Sequence, residues 1–466
     1  MISLYIHTSH DGSITAVKDS KILFHHQIDR FNKFKNSSVP SFELFKTLIG
    51  MEKIEKVIFT FFPKDNMTIF WQNYLQRLGL IDSNTNITYC TDKHHLFHAS
   101  CAKLFYPYAN YFLVWDQEGS DTDKGMEQET LYTNDFNQLY SNNRKGRSNI
   151  GLGKRYSIAT KISGFSDFQE GKTMALSQYK KTGVAYFEQK RLEEKSLRLL
   201  SVLQTLYFKD GETVCLTGGV TQNILNNTNL VNNLKNINIK ACPFNGDFGL
   251  SLGAAAYYEN LHNVYKPIKN IYLGLETNIN TSVFNRYKID QVSYKDVCTI
   301  LQKEPVAIFQ SKSEQGQRGL GNRSLLIDIE AENAIEKINK IKKREPFRPF
   351  ACSILEEDSS KWFNTKGAMS PHMMFVFKSK KSKRTKNVTA SNDTSRIQTV
   401  AHSHNLHFHN LLWNNKKHFK KPLLLNTSLN LPGHTLVETM EDLLYFFENT
   451  NLNYIYFPEK GSLITK

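Results

Sequence analysis

An α/β protein in two parts is the fold class this sequence predicts, and three observations predict it. Apolar strand-like runs alternate with helical patterns through residues 1–275, the periodicity fades over 276–297, and a second series of strands and helices occupies 298–466. At 466 residues the chain is also too long for one ordinary hydrophobic core.

The elements follow in order. The runs ISLYI, SITAVKD and KILFHHQIDR alternate apolar and polar residues, with HDG and DSK as turns between them, which predicts a β-meander. SFELFKTLIG and HHLFHASCAKLF carry the helical period, while KVIFTFF (56–62), YFLVWD (111–116) and ETVCLTGG (212–219) read as strands. The last of these runs into Gly218 and Gly219 and then a helix, as ETVCLTGGVTQNILNN. Such a turn lets backbone amides approach a phosphate or carboxylate at a helix N-terminus, and it serves equally well as a plain tight turn. LGLETNINTSVFNRYKIDQVSYKDV reads as a linker with a short helix. The second part has strands VAIFQ, MMFVFK and PLLLN and a helix within IEAENAIEKINKIKKRE.

Composition excludes some classes. No apolar run approaches bilayer-spanning length, and MISLYIHTSHDG reads as a strand rather than a signal peptide, so a soluble cytoplasmic protein with no membrane partner is expected. The six cysteines, Cys90, Cys101, Cys215, Cys242, Cys298 and Cys352, form no CxxC pair and read as reduced, mostly buried thiols. A formal charge of +15 attracts polyanions, or reflects drift toward lysine and asparagine. Two segments concentrate it: KSKKSKRTK (378–386) and KKHFKK (416–421).

Arginines crowd turn-like segments of the second part. EQGQRGLGNRS, KKREPFRPF and TSRIQT place Arg318, Arg323, Arg344, Arg348 and Arg396 near glycines, prolines and small polar residues. A guanidinium fork pairs bidentately with phosphate or carboxylate, so anion recognition explains the density better than surface ion pairing does. In the first part, a helix over 94–105 puts His94 and His98 one turn apart on one face, about 5–6 Å between Cβ atoms. That spacing suits two imidazole ligands or two core histidines, and His95 points elsewhere. Asp116 and Asp247 are the natural carboxylates to complete a shell for a divalent metal such as iron or zinc. The pair lacks the HExxH glutamate of a metallopeptidase.

Taken together, HDGSITAV, DRFNKFK, HHLFHAS, VWDQEG, FQEGKTMALSQY, LTGGVTQN, NGDFGLSLGAA, GQRGLGNRSLLID, KKREPFRPFACSILEED, DTSRIQTV and LLLNTSLNLPG make the chain resemble the ATP-dependent O-carbamoyltransferases. That family includes enzymes that carbamoylate nodulation factors, aminoglycosides such as tobramycin, and cephalosporin precursors. The resemblance implies an N-terminal actin-like ATPase domain, similar to the tRNA threonylcarbamoyl-transfer subunit, and a C-terminal YrdC-like domain. It implies carbamoyl phosphate, ATP with Mg²⁺, and a divalent metal, expected to be Fe²⁺, in the transfer domain. Carbamoyl-adenylate forms in the second domain, and an acceptor hydroxyl displaces AMP in the first.

By the same resemblance, Lys342, Arg348, Arg396 and Ser428 form the carbamoyl-phosphate pocket, with Arg318, Arg323, Asn426 and Asn430 as neighbours. His94, His98, Asp116 and Asp247 match the metal shell, and Gly218, Gly219, Val220 and Asn223 the nucleotide turn. His10 is expected as the general base, positioned by Asp11 and Ser13, or else as a histidine that only caps the meander.

The chain departs from the family's pattern in one place. Members acting on small acceptors carry a long segment before the glycine pair, whereas residues 180–211 join the two motifs here, and the usual MGLA reads MALS. A shorter roof with a basic chain points to a polymeric anionic acceptor, best met by 5-hydroxymethylcytosine in DNA, in single strands or flipped from the duplex. The alternatives are a nucleoside, sugar or antibiotic precursor, or a non-catalytic nucleic-acid-binding protein. The sequence leaves the oligomeric state open.

Overall fold

The computed structural model describes residues 2–41, 44, 48, 50–146, 150–265, 267–269, 271–274 and 276–466. The chain forms two compact units, residues 1–269 and 270–466. Most of the SFELFKTLIG helix expectation lies outside the described residues.

In the first unit the meander forms as alternation requires. β1 (Ile2–His7), β2 (Ser13–Lys18) and β3 (Lys21–Gln27) pair antiparallel. β4 (Ile54–Phe59) lies parallel to β1, and β5 (Asn86–Tyr89) parallel to β4, so the order is β3-β2-β1-β4-β5. The pattern then repeats. β6 (Tyr111–Trp115), the short β7 (Asp121–Thr122), β8 (Gly125–Thr133) and β9 (Gln138–Arg144) form the antiparallel part, and β10 (Thr213–Thr217) and β11 (Asn238–Ala241) continue parallel to β6. The order β9-β8-β6-β10-β11 repeats the first, so the unit consists of two halves of like topology, the duplication expected of an actin-like domain. β10 is buried along its whole length, which is why it reads as an unbroken apolar run rather than an alternation.

Helices connect and close each half. α1 (Asn66–Arg77) starts at Asp65, whose carboxylate accepts from the amides of Met67 and Thr68. α2 (His94–Phe105) ends the first half with the predicted bounds. The second half adds α3 (Leu152–Ile162), α4 (Glu170–Tyr179), α5 (Val184–Tyr207), α6 (Ile224–Asn233) and α7 (Leu250–Tyr258). Most of the 180–211 stretch is therefore the single helix α5. α2 and α7 pack against each other with backbone in contact: a Cβ on Gly253 would lie 2.0 Å from the Phe97 carbonyl oxygen. Only glycine permits this approach.

The second unit is built on one nine-stranded sheet. Its elements are β12 (Lys288–Gln291), α8 (Tyr294–Leu301), β13 (Val306–Phe309), β14 (Arg323–Ile327), α9 (Ala334–Lys342), β15 (Ala351–Leu355), β16 (Val376–Lys378), β17 (Thr394–Val400), α10 (Leu406–Phe419), β18 (Leu423–Ser428), α11 (Met440–Glu448), β19 (Tyr454–Phe457) and β20 (Ser462–Thr465). The strand order is β12-β20-β19-β13-β14-β18-β15-β17-β16. α9 and α11 cover one core through Ile338, Ile341, Leu443 and Phe446, and α8 and α10 cover another through Val297, Leu301, Leu411 and Leu412.

Three local readings change here. The stretch 276–297 contributes residues 288–291 to the sheet as β12, which pairs antiparallel with β20, a partner no local pattern reveals. MMFVFK is strand only in its last three residues, since Met373 has φ +59° and cannot continue a ladder. The charged helix is shorter than its pattern, bounded by Asn333 at φ +53° and Lys343 at φ +44°. Among the described residues no helix is long and apolar enough to cross a membrane.

Candidate active site

Four side chains converge at the meeting of the two halves of the first unit. His94 and His98 project from the first turns of α2, Asp116 follows β6, and Asp247 lies in the short 3-10 turn before α7. Their ligand atoms all lie within 4.8 Å of one another. His94 Nε2 and His98 Nε2 stand 3.2 Å apart, at 3.2 and 3.0 Å from Asp116 Oδ2 and at 3.7 and 3.6 Å from Asp247 Oδ1. Donors held about 2.1 Å from one ion are separated by about 3.0 Å in an octahedron and about 3.4 Å in a tetrahedron. The measured separations match these edges, and two imidazoles with two carboxylates are the chemistry of a divalent-metal shell, so the residues fit the group.

The electrostatics agree. Burial opposes ionisation of Asp116, yet the imidazoles of His94 and His98 hold its carboxyl below the usual range. Asp247 is likewise buried and held well below that range by His10, His94, His7 and His98. Burial disfavours the His98 imidazolium, but hydrogen bonds and charge from Asp116 and Asp247 outweigh it and push its pKa up to about 9. His95 serves the scaffold: its Nδ1 faces Thr130 Oγ1 at 2.7 Å, a Cβ on Gly119 would strike its ring at 2.7 Å, and burial holds it well below its ordinary pKa.

His10 sits at the tip of the β1–β2 turn, with Nε2 3.4 Å from Asp247 Oδ2 and Nδ1 4.0 Å from Asp11 Oδ2. Asp11, at φ +53°, is fixed through its amide, which donates to the Asn36 carbonyl at 3.1 Å. Ser13 is fully buried opposite His7, with no partner for its hydroxyl among the described residues. Two neighbours carried no sequence assignment. His7 Nε2 stands 3.7 Å from Asp247 Oδ2 while its Nδ1 faces Thr60 Oγ1 at 2.8 Å, and the spacing HTSH was its only signal. Phe168, 55% exposed at φ +61°, lays its ring 4.9 Å from the His10 ring, and its only signal was its place at the head of the FQEGKTMALSQY motif.

The glycine turn borders the same cluster. Gly218 has φ +85° and a Cβ there would lie 2.2 Å from the Trp115 carbonyl oxygen, while a Cβ on Gly219 would lie 3.0 Å from Asp116 Oδ1. Gly219 and Val220 open a 3-10 turn beside the carboxylate. Asn223, expected with them, is occupied otherwise: Oδ1 caps α6 through the Asn226 amide at 3.0 Å, and Nδ2 donates to Gln189 Oε1 at 2.8 Å.

In the second unit the expected anion pocket divides into members that gather and one that does not. Lys342 Nζ donates to the Ser428 carbonyl at 2.5 Å, the Asn430 carbonyl at 2.7 Å and Asn430 Oδ1 at 2.5 Å, so it offers charge rather than a free N–H. Asn426 Nδ2 donates to the Gly319 carbonyl at 3.1 Å and Ser353 Oγ at 2.7 Å, and its buried Oδ1 has no donor among the described residues. A Cβ on Gly319 would lie 2.8 Å from Ser428 Cα, which sets neighbouring Arg318 beside Ser428 and Asn426.

Arg318, Arg344, Arg348 and Arg396 feel one another as a cluster of like charges. Burial and Arg348 lower Arg318 to about 10, burial with Arg348 and Arg318 lowers Arg344 to about 9, and burial with the other three depresses Arg396. Arg348 is answered by Glu345 at 3.2 Å. Such a concentration suits an oxyanion, and Arg344 joins it although only the density of arginines in KKREPFRPF marked it.

Arg323 does not belong to the pocket. It is fully buried over the Phe309 ring at 3.6 Å, and its N–H groups donate to carbonyls of Val437, Gln310, Asn322, Ser311 and Glu438. All five donors are engaged in holding loops, which leaves none for a ligand.

The chain is similar in sequence to known proteins. Residues 297–463 match the family described as carbamoyltransferase C-terminus. An uncharacterized protein of Methanocaldococcus jannaschii is 32% identical over 288 residues, 58% of this chain and 54% of that protein. Nodulation protein NolO of Bradyrhizobium diazoefficiens is 30% identical over 258 residues, 52% of this chain and 47% of its own length. The 3'-hydroxymethylcephem-O-carbamoyltransferase of Streptomyces clavuligerus is 30% identical over 183 residues, 38% of this chain and 34% of the enzyme. The matches thus span about half, or less, of the relatives' lengths.

Proposed function

We propose that this chain, whose residues 297–463 match the carbamoyltransferase C-terminus family, is an ATP-dependent O-carbamoyltransferase whose acceptor is a hydroxymethylated pyrimidine in DNA. The observation that carries the reading is His10 Nε2 at 3.4 Å from Asp247, a proton acceptor set beside a metal-binding quartet.

The first stage belongs to the second unit. Water cleaves carbamoyl phosphate, its oxygen entering as the bond to phosphate breaks, to give carbamate and inorganic phosphate; a carbamate oxygen then attacks the α-phosphorus of ATP, expelling pyrophosphate and leaving carbamoyl-adenylate. Arg318, Arg344, Arg348 and Arg396 supply the charge that draws in and steadies the phosphates, with Lys342 reinforcing the field from beside Ser428. The donorless Asn426 Oδ1 suits the carbamoyl amide, while the Ser428 hydroxyl donates to Asn430 Oδ1 at 2.7 Å and holds the turn beside Lys342.

The second stage belongs to the first unit. The acceptor hydroxyl attacks the carbonyl carbon of the mixed anhydride, the bond to AMP breaks, and the hydroxyl proton passes to His10 Nε2. His94, His98, Asp116 and Asp247 would hold a divalent ion, in our reading Fe²⁺, whose chemistry is Lewis-acid stabilisation of charge on the reacting group. Burial disfavours the His10 imidazolium, but Asp247, Asp11 and Asp116 raise its pKa to about 9, so the ring carries its proton while those carboxylates are uncompensated. Neutralising Asp116 and Asp247 with a cation frees the ring to act as a base near neutral pH. Gly218, Gly219 and Val220 offer backbone to the nucleotide, and Asn223 holds the helix that follows.

Two features support a hydroxymethyl on a flat ring. The Streptomyces relative is named for a hydroxymethylcephem, which presents its hydroxyl on a ring-borne methylene, and Phe168 exposes an aromatic face beside His10. The net charge of +15 favours the polymeric acceptor over a free nucleoside, sugar or antibiotic precursor. The test is mass spectrometry of nucleosides from hydroxymethylated DNA after incubation with the protein, ATP, Mg²⁺ and carbamoyl phosphate. A gain of one carbamoyl group is expected; labelling of free nucleoside alone moves the acceptor to the small-molecule class, and no AMP release ends the reading.

A further inference from the structure

The two basic runs that lie apart in the sequence meet in the second unit. Glu330 joins them: its carboxylate accepts from Arg384 at 2.5 and 3.1 Å and stands 3.6 Å from Lys421 Nζ. Asp358 makes a second tie, 2.5 Å from Lys416 Nζ and 2.9 Å from Lys361 Nζ. Next to Lys361, the Trp362 ring carries Lys381 Nζ at 4.2 Å and the Arg384 guanidinium at 4.8 Å. Lys421 also pairs with the buried Asp328 at 2.7 Å. These acids answer the cations that frame the surface.

The rest of the charge is unanswered. Lys378, Lys380, Lys383, Lys386, Lys417 and Lys420 are all exposed, and none of them pairs with a carboxylate among the described residues. Lys380 reaches only the Ser360 carbonyl, at 2.7 Å, and Lys420 only that of Lys417, at 3.3 Å. The six exposed lysines belong to two segments tied together through Glu330, and Lys381 and Arg384 of the first segment are braced on Trp362, so like charges are held close and repel one another. A regular row of phosphates is the partner whose charge spacing answers several of them at once.

We propose that this patch, framed by Glu330, Asp358 and Trp362, is a docking surface for the phosphate backbone of DNA. It rests on the reading of DNA as the acceptor's carrier, and it contributes affinity without sequence preference. None of these lysines is among the residues assigned to chemistry, so replacing Lys380, Lys383, Lys386, Lys417 and Lys420 weakens substrate capture and spares carbamoyl-adenylate formation.

The experiment measures fluorescence anisotropy of a labelled duplex with the full-length protein, between about 50 and 200 mM salt. Six contacts predict log affinity falling against log salt with a slope of about −5, and K380E/K383E/K386E cuts the slope by about 2.7 and weakens low-salt binding at least tenfold. K417E/K420E cuts it by about 1.8 and stands in should the triple variant fail to fold, as judged by circular dichroism. Equal binding by wild type and either folded variant overturns the proposal. So does lysine-dependent binding to phosphatidylglycerol vesicles with none to duplex, which assigns the patch to an anionic membrane surface. AMP release from ATP and carbamoyl phosphate is followed in parallel: its absence in the wild type removes the proposed activity, while the anisotropy decides the docking surface.

Discussion

The replacement Gly253→Ala tests how the metal quartet is held without touching any of its members. α2 carries His94 and His98, and α7 begins three residues after Asp247. A methyl at position 253 would lie 2.0 Å from the Phe97 oxygen and 2.7 Å from its carbonyl carbon, whereas ordinary contact begins near 3.4 Å. The shortfall of about 1.4 Å must be met by moving two backbones apart, since neither atom belongs to a flexible side chain. Overpacking of this kind costs about 1–3 kcal/mol. Because the imidazoles stand only 3.6 and 3.7 Å from Asp247 Oδ1, a displacement of about 1 Å takes that oxygen out of a shared coordination sphere. The assay is competition for Fe²⁺ or Zn²⁺ against a chelator of known affinity, with thermal melting alongside. G253A is expected to lose metal affinity at least tenfold and to melt lower, while Gly171→Ala on α4, where a Cβ meets nothing, changes neither. A G253A protein that holds metal like the wild type would refute the claim that helix approach sets the site.

Three further outcomes follow from the same reasoning. Arg396→Met relieves repulsion with Arg318, Arg344 and Arg348, so without ligand it melts higher, by about 2–4 °C per kcal/mol relieved, while its KM for carbamoyl phosphate rises about tenfold or more; calorimetry and AMP release check the two signs. His25 is fully buried and its pKa is lowered to about 3 by burial, so the folded state binds its proton less readily than the unfolded chain. Stability from this group is complete above about pH 6.5 and declines toward pH 3 at up to about 1.4 kcal/mol per unit; His25→Gln should flatten that limb of the denaturation profile relative to wild type. Phe168→Ala should raise KM for a pyrimidine acceptor severalfold, with Phe168→Tyr restoring it and acceptor-independent AMP formation unchanged in both.

The sequence carried most of the architecture because its signals are local. The 94–105 helix has its predicted ends, and β10 shows as an apolar run because both its faces are buried. The quartet was legible only because two histidines at helical spacing could be joined to Asp116 and Asp247 by motif order, since the chain's folding alone brings those aspartates, 131 positions apart in the sequence, to within a few ångströms. What escaped depends on long-range pairing or on what a polar side chain touches. β12 needs β20; Asn223 is a cap rather than a ligand; and Arg323, indistinguishable in GLGNRS from its neighbours, engages every donor on carbonyls. Phe168 carried no role within its motif because its value lies in exposure at a left-handed backbone position.

The repetition of strand order in the first unit gives its site residues counterparts. His10 occupies the hairpin after the first strand of one half, and Asp116 the corresponding hairpin of the other. His94 starts the closing helix of one half, and Asp247 precedes the start of its counterpart. Equivalent positions of the two halves therefore hold different side chains, and under the proposed chemistry one hairpin takes a proton while its twin ligates metal. Because both halves lie in one chain, each position can be fitted to a single task, which an exact symmetric pair of halves could not allow.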